Sequence, residues 1–338
     1  MTTTTRIALA QRPHGVPTDD SFLIEEVELP PLGDGQVLLA VDYLSLDPYM
    51  RGRMSSAKSY AAPTEIGDTM PGGTVATVLE SRYDGLAAGD TVLSYSGWQT
   101  HAVAAGASVR RLDPAGAPVQ TALGVLGMPG FTAYAGMRNI GRPQAGETVV
   151  VAAATGPVGS MVGQLAQRAG ARAVGIAGGA AKVDFLRDGL GFDAAVDHRA
   201  PDFAEQLAAA TPDGIDVYFE NVGGTVFDAV FPRLNTFGRV PVCGLAANYN
   251  LTELPDGKDR TGVLLGGILT RSLTFRGFIQ NEFADSQFSD FLAEIAPEVA
   301  AGRIRYREDV VDGLTNAPEA FRGLLAGKNF GKLLIRVR

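Results

Sequence analysis

Thr148 to Ala153 is an unbroken apolar run, and it delivers the chain into Ala154-Thr155-Gly156-Pro157-Val158-Gly159, with Gly163 one helical turn further on. A buried strand feeding a glycine-rich turn that opens a helix is the arrangement that grips the pyrophosphate of a dinucleotide. Gly156 lets backbone approach the anion, Gly159 lets the helix lie close to the sheet, and the free N–H groups of the first turn hold the negative charge. Ala154 stands where the usual pattern has its first glycine, and an ordinary tight strand-to-helix connection is the competing reading. The next strand ends in Ala177-Gly178-Gly179-Ala180-Ala181-Lys182. No carboxylate stands there to hold an adenosine ribose, whereas Lys182 suits a 2′-phosphate, so the pattern favours NADP(H) over NAD(H). The alternative is a solvated lysine near a helix start, a place the helix dipole mildly disfavours.

Other reactive residues are few. Tyr249 lies in the polar stretch Asn248-Tyr249-Asn250, where no core needs an aromatic. Read from the residues alone, it is a surface-loop tyrosine without a packing role. Cys243 is the single cysteine and His14, His101 and His198 are the only histidines, with no close ligand spacing among them. That excludes an intramolecular disulfide framework and a multi-cysteine metal site, and no metal is expected. With 29 basic against 37 acidic residues the chain carries −8, a balance that argues against nucleic acid or an anionic membrane as partner. No signal-peptide apolar region follows Met1 to Arg6, and no apolar stretch is long enough to span a bilayer. A cytoplasmic protein is expected.

The elements that must position these residues fall into two textures. The first 125 residues read as short strands (Val37 to Ala40, Gly73 to Val78, Thr91 to Leu93, His101 to Val103), as in a β-rich barrel or sandwich. From about residue 126 strands and helices alternate. Strands are expected at Thr148 to Ala153, Ala173 to Ile176, Ala194 to Val196, Ile215 to Phe219, Arg239 to Cys243 and Leu273 to Phe278. Helices are expected over Phe131 to Arg138, Ser160 to Ala169, Ala181 to Leu190, Asp202 to Ala210 and Val226 to Leu234, and again from Gln287 to Ala300. Such alternation predicts an α/β domain with a doubly wound parallel sheet. Asn248 to Lys258 reads as loop, Ser55 to Ile66 and Leu251 to Gly262 have no assigned place, and Lys332 to Val337 reads as a terminal strand.

Several further motifs carry a resemblance. They are Asp47-Pro48-Tyr49-Met50-Arg51-Gly52-Arg53-Met54, Tyr95-Ser96-Gly97-Trp98, Leu126 to Tyr134, Glu220-Asn221-Val222-Gly223-Gly224, Tyr306-Arg307-Glu308 and Gly327 to Lys332. With the Ala153–Gly159 turn, and in this order from about residue 10 to 337, the chain resembles the zinc-independent medium-chain dehydrogenases/reductases. The likeness is to the prostaglandin reductase and alkenal double-bond reductase group, its bacterial curcumin-reductase branch in particular. The resemblance implies a GroES-like catalytic domain (1–125), a Rossmann NADP-binding domain (126–300) and a C-terminal segment (301–338) returning to the first. It also implies a cleft between the domains and a homodimer that extends the nucleotide-domain sheet through Leu273 to Phe278.

The same resemblance implies NADPH-dependent reduction of the C=C bond of α,β-unsaturated carbonyls, with hydride delivered to the β-carbon. Thr155, Gly156, Pro157, Val158, Gly159 and Ser160 would wrap the pyrophosphate. Gly178, Lys182, His198 and Arg199 would surround the 2′-phosphate, although relatives place a tyrosine where His198 stands. Asn221, Cys243, Gly244, Leu245, Phe278, Ile279 and Gln280 would border the nicotinamide, joined by Met128, Thr132 and Asn329. Tyr249 would face the substrate carbonyl, and Tyr49 would position the substrate or simply pack. Arg51 and Arg53 are read either as contacts for acidic substrates or as local salt bridges, Trp98 as cleft or core, and His101 has no clear role. Quinone reduction is the alternative within this class, and a noncatalytic NADPH-binding protein the alternative outside it.

Overall fold

Residues 2–253 and 259–338 are described in the computed structural model of the chain. They form two compact units, one made of Met1–Gly124 with Glu308–Arg338 and the other of Val125–Arg307. Ala301 to Arg307 therefore cluster with the second unit, seven residues beyond the boundary expected at 301.

The first unit begins with β1 (Thr3–Leu9) and β2 (Phe22–Glu28), an antiparallel pair. Next come β3 (Gln36–Ser45), the short helix α1 (Tyr49–Arg53), β4 (Thr74–Ser81), β5 (Thr91–Ser94), β6 (His101–Ala105) and β7 (Arg110–Arg111). The second unit follows with α2 (Met128–Gly136), β8 (Thr148–Ala152), α3 (Pro157–Arg168), β9 (Arg172–Ala177), α4 (Ala180–Asp184), β10 (Ala194–Asp197) and α5 (Phe203–Ala210). It continues with β11 (Ile215–Phe219), α6 (Gly224–Val230), β12 (Leu234–Val242), α7 (Thr261–Thr270), β13 (Thr274–Gly277) and α8 (Asn281–Ala300). The chain then re-enters the first unit as β14 (Glu308–Asp312), α9 (Ala317–Leu325) and β15 (Lys332–Arg336).

In the first unit a seven-stranded sheet runs β14-β15-β3-β4-β5-β7, with β6 also pairing β3. Trp98 lies fully buried in its core, stacked on Phe22 at 5.7 Å and met edge-on by Phe321 at 5.6 Å. Of the two readings of Trp98, the core one holds. Lys332 opens β15 with its Nζ donating to Leu46 O and to Asp47 Oδ1, both at 2.8 Å. The Ser45 hydroxyl covers the other Asp47 oxygen. The side chains of Lys332 and Asp47 are only 3% and 8% exposed, so two charges sit inside this unit compensated by one another.

The second unit holds six parallel strands in the order β10-β9-β8-β11-β12-β13. The direction of winding reverses between β8 and β11, and in such a sheet ligands bind beyond the carboxyl ends of those strands. β8 is buried throughout (Thr148, Val149, Val150, Val151, Ala152) because helices cover both faces, which is why it reads as continuous apolar sequence. The expected β8 to β11 strands stand within a residue or two of their observed bounds. Elsewhere the structure corrects the sequence reading. Leu234 begins β12 rather than ending a helix, since Phe231-Pro232-Arg233 breaks off α6 in a 3₁₀ turn. The helix expected at Ala181 to Leu190 is α4 followed by a π turn, Phe185–Gly189. α8 starts at Asn281, six residues early. β1, β2, β7 and β14, and helices α1, α7 and α9, have no counterpart among the elements expected from sequence. Leu254 to Lys258 of the expected Asn248–Lys258 loop lie outside the described residues.

Candidate active site

The carboxyl ends of β8, β9, β11 and β12 bring together most of the residues singled out above, all within the second unit. After β8 the backbone turns at Ala153, a non-glycine residue at φ 51°, a strained geometry of the kind that concentrates at functional sites. Gly156 N donates to Ala153 O at 3.0 Å, and Ser160 N to Gly156 O at 2.9 Å. Pro157 occupies the first helical position of α3, and no side chain caps that helix. The N–H groups of Val158 and Gly159 thus stand at the positive end of a twelve-residue helix without intrahelical acceptors. A Cβ on Gly159 would lie 2.5 Å from Ala153 O and 2.6 Å from Ala154 Cα, so only glycine permits this approach of helix to strand end. Thr155 and Ser160 are buried beside it.

At the ends of β9 and β10, Gly178 lies under two basic side chains. A Cβ there would meet Arg199 Nε at 2.7 Å and His198 Nε2 at 2.8 Å. Burial pulls the His198 imidazole below its ordinary range, helped by the charges of Arg199 and Lys182 and opposed by Asp197. Asp197 is a site residue that the sequence reading missed. Its Oδ1 accepts Arg199 N–H at 2.9 Å. Desolvation pushes its carboxyl up, but N–H bonds from Gly179 and Arg199 and the charges of His198 and Arg199 outweigh that and hold it low. The one carboxylate here is thereby occupied by backbone donors. A side-chain-free floor, an uncapped helix end and three basic groups fit a dinucleotide carrying an extra phosphate, and Gly178, Lys182, His198 and Arg199 would hold that phosphate.

Past β11, Asn221 Nδ2 donates to Ala152 O at 2.9 Å, linking this turn to the end of β8. Past β12, Cys243 N and Gly244 N donate to Glu220 O at 2.9 and 3.1 Å. Desolvation, helped by Glu220, pushes the Cys243 thiol up to about 12, which leaves it a poor nucleophile. Leu245 is exposed. The loop then makes a 3₁₀ turn, Ala246–Asn248, into Tyr249, and a Cβ on Gly244 would stand 3.1 Å from Tyr249 Oη. The phenol therefore lies over Gly244, where the same Cβ would also stand 3.4 Å from Asn221 O. Phe278 is buried edge-on against Phe219 at 6.1 Å. Ile279 N donates to Glu282 Oε1 at 2.9 Å, and Gln280 is the residue from which α8 starts. On α2, Thr132 Oγ1 donates to Met128 O at 2.7 Å.

Glu220 also went without a role in the sequence reading. It is 2% exposed, and its Oε1 accepts Tyr218 Oη at 3.0 Å, Val222 N at 2.7 Å and Gly223 N at 2.8 Å. Burial pushes its carboxyl up, against those N–H bonds. The available signal was a carboxylate directly following a strand as apolar as Val217-Tyr218-Phe219.

Tyr49 and Asn329 belong to the first unit. Burial, with Asp47 and Tyr95 nearby, holds the Tyr49 phenol well above the usual range, and the Arg53 guanidinium lies 5.7 Å from its ring centroid. Asn329 Nδ2 donates to Gly331 O at 2.8 Å. Arg51 is buried and donates to Gly15 O at 2.8 Å, and Arg53 donates to Ala62 O at 3.1 Å. His101 shares a hydrogen bond with Thr100 Oγ1. Among the described residues no group of three or more His, Cys, Asp or Glu is arranged to hold a metal ion.

Strand order, the uncapped turn after β8 and the basic cluster at the ends of β9 and β10 define a Rossmann-type sheet suited to a phosphorylated dinucleotide. Residues 5–112 match the family described as N-terminal domain of oxidoreductase, and residues 157–296 the family described as zinc-binding dehydrogenase. The chain is 53% identical over 332 residues to the NADPH-dependent curcumin reductase of Escherichia coli, covering 98% of this chain and 96% of that protein. It is 42% identical over 324 residues to prostaglandin reductase 1 of Oryctolagus cuniculus, covering 94% and 89%. The crystal structure of CurA from Vibrio vulnificus in complex with NADPH superposes with a TM-score of 0.96 at 50% identity, covering 98% of this chain and 99% of that one. The chain belongs to the medium-chain dehydrogenase/reductase family, in the group of the prostaglandin and alkenal double-bond reductases. It is an NADP-dependent oxidoreductase.

Proposed function

We propose that the protein saturates the C=C bond of α,β-unsaturated carbonyls, enones and alkenals, with aromatic dienones of the curcumin type among its substrates. The observation that carries this reading is the Tyr249 hydroxyl standing over Gly244, beside the strand-end turns that would border the nicotinamide. Bound NADPH supplies the hydride that adds to the β-carbon. The chain's own part is binding and electrostatics. Thr155 to Ser160 hold the pyrophosphate, and the Gly178 cluster with Lys182, His198 and Arg199 holds the 2′-phosphate. Asn221, Cys243, Gly244, Leu245 and Phe278 to Gln280, with Met128 and Thr132, border the nicotinamide end. Tyr249 donates to the carbonyl oxygen as it gains negative charge, and the α-carbon then takes a proton from water or from Tyr249. Tyr49 and Asn329 are further contacts in this reading, for substrate and cofactor respectively. The names of the curcumin reductase and prostaglandin reductase relatives support the substrate class.

The test is turnover of a simple alkenal, an aromatic dienone and a quinone side by side, following NADPH oxidation and weighing the product. A saturated ketone or aldehyde is expected. An allylic alcohol with the alkene intact refutes the reaction class, and turnover of the quinone alone refutes the substrate class.

The reading extends to assembly as a homodimer. β13 is the edge strand of the parallel sheet, and α7, which precedes it, exposes Val263, Leu265 and Leu269, so a second copy would cover both. Light scattering behind a sizing column tests this, and a monomer at micromolar concentration refutes it. Among the described residues no helix is long and apolar enough to cross a membrane, and we expect the reaction to run in the cytoplasm, which cell fractionation tests.

A further inference from the structure

Two turns meet at Glu220. Its side chain holds the turn after β11, through Oε1 and the N–H groups of Val222 and Gly223. Its carbonyl holds the turn after β12, accepting Cys243 N and Gly244 N. The two turns are then tied to each other: Ala246 N donates to Asn221 O at 3.1 Å and Ala247 N to Val222 O at 2.9 Å. From Ala246 the 3₁₀ turn runs directly into Tyr249, whose N–H donates back to Ala246 O at 3.4 Å. A path of backbone hydrogen bonds therefore links one buried carboxylate to the residue that bears the phenol. Tyr218 Oη orients the carboxylate at 3.0 Å, while Oε2 is buried with no hydrogen-bond partner among the described residues. Leaving a buried carboxylate oxygen unpaired is costly. A carboxylate whose only task was to cap this turn would be replaceable by a smaller, fully satisfied side chain.

We propose that Glu220 is the positioning residue for Tyr249: by fixing the Val222–Gly223 turn it sets the register of the Ala246–Asn248 turn and so the place of the phenol. The inference rests on the reading of Tyr249 as the donor to the substrate carbonyl. Its effect is transmitted through backbone alone, so it concerns where the hydroxyl stands rather than its acidity.

The experiment is a double-mutant cycle in the full-length enzyme with Glu220→Ala, Tyr249→Phe and the double variant. It uses a carbonyl-activated enone, with NADPH Kd by fluorescence and amide exchange of residues 243–250 in the cofactor-free protein. Displacing a catalytic group by about an ångström costs up to roughly a hundredfold, so E220A is expected to lower kcat by about tenfold to a hundredfold with NADPH Kd within about threefold. In the Y249F background the same substitution is expected to cost less than about threefold, the mark of two residues acting as one unit. E220A is expected to speed exchange at 243–250. Glu220→Gln, which keeps the Oε1 acceptor, is expected to restore both exchange and rate. Where E220A does not purify, Glu220→Asp, one methylene shorter, replaces it in the cycle. Equal losses from E220A with and without Tyr249, or unaltered exchange, overturn the inference while leaving the Tyr249 reading in place. An unchanged rate in Y249F alone overturns that reading, and the inference with it.

Discussion

Replacing Lys332 by Met removes the cation from the buried pair with Asp47 while keeping most of the side-chain volume. The structure sets the size of the loss. The ammonium loses two 2.8 Å bonds, leaving Leu46 O and Asp47 Oδ1 against a methyl group. With the side chains 3% and 8% exposed, water does not replace them. Removing one partner of such a pair costs about 3–5 kcal/mol, because the remaining charge is uncompensated. Glu308 adds to the cost: burial already pushes its carboxyl up, and Lys332 is one of the influences opposing this. For a unit of this size each kcal/mol moves the midpoint by roughly 2–4 °C, so a fall of about 6–20 °C is expected. The assay is selective by composition. Trp98 is the sole tryptophan and sits in the core of the same unit, so its fluorescence in urea reports that unit alone. Adding Asp47→Asn to Lys332→Met leaves a neutral orphan in place of a charged one and should recover a large part of the loss. A Lys332→Met protein within about 1 kcal/mol of the parent would show that the pair is not the desolvated contact described here.

Tyr249→Phe should lower kcat/KM for a carbonyl-activated enone by roughly 10–1,000-fold, its upper decade being the loss of about 100–1,000-fold typical of removing one donor to a developing oxyanion; an unchanged value removes Tyr249 from the chemistry. Lys182→Ala should weaken NADPH by about tenfold or more in a direct titration and leave NADH nearly untouched, since only the former carries the extra phosphate; equal losses for both would refute the assignment. His198 is held low in the free protein by burial, Arg199 and Lys182, and a phosphate placed beside it favours the imidazolium. NADPH binding should therefore draw a fraction of a proton onto His198, a contribution to affinity that falls as pH rises through the His198 range; because the 2′-phosphate itself ionises at about pH 6, the measurement is the difference in buffer-dependent binding enthalpy between the parent and His198→Ala, and no difference refutes the contact. Gly159→Ala should abolish tight NADPH binding, because its methyl would lie 2.5 Å from Ala153 O; parental affinity would refute the packing argument.

The parallel sheet was readable because burial on both faces writes itself as continuous apolar runs: Thr148 to Ala152 and Ile215 to Phe219 allow little else. Strand β1, by contrast, starts with three threonines and an arginine before its apolar end, so its local signal is weak until β2 pairs with it. Val226, Val230 and Leu234 keep helical spacing, which carried the helix reading past the break at Pro232. The glycine turn after β8 and Lys182 could be singled out from sequence because the chemistry expected of them is local to a few residues. Asp197 and Glu220 were not, since their partners are backbone N–H groups whose direction only the folded turns define. Arg51 shows the same limit: its acceptors include Pro13 O and Gly15 O, more than thirty residues upstream and invisible as charges.

The topology of the first unit decides when its strands find their partners as the chain is made. β3 lies between β4 and β15 in the sheet, with β6 sharing the edge that β15 completes, and β15 follows every strand of the parallel sheet in the chain. During translation residues 43–45 of β3, which β6 does not reach, stay unpaired on that edge until β15 emerges, while every strand of the parallel sheet has already been made. A chain lacking β15 would thus retain an intact nucleotide unit, while in the first unit's sheet residues 43–45 of β3 would lose their partner on one side and β14 would have no strand to pair with. Proteolysis of such fragments would spare Val125 to Arg307 and consume the rest.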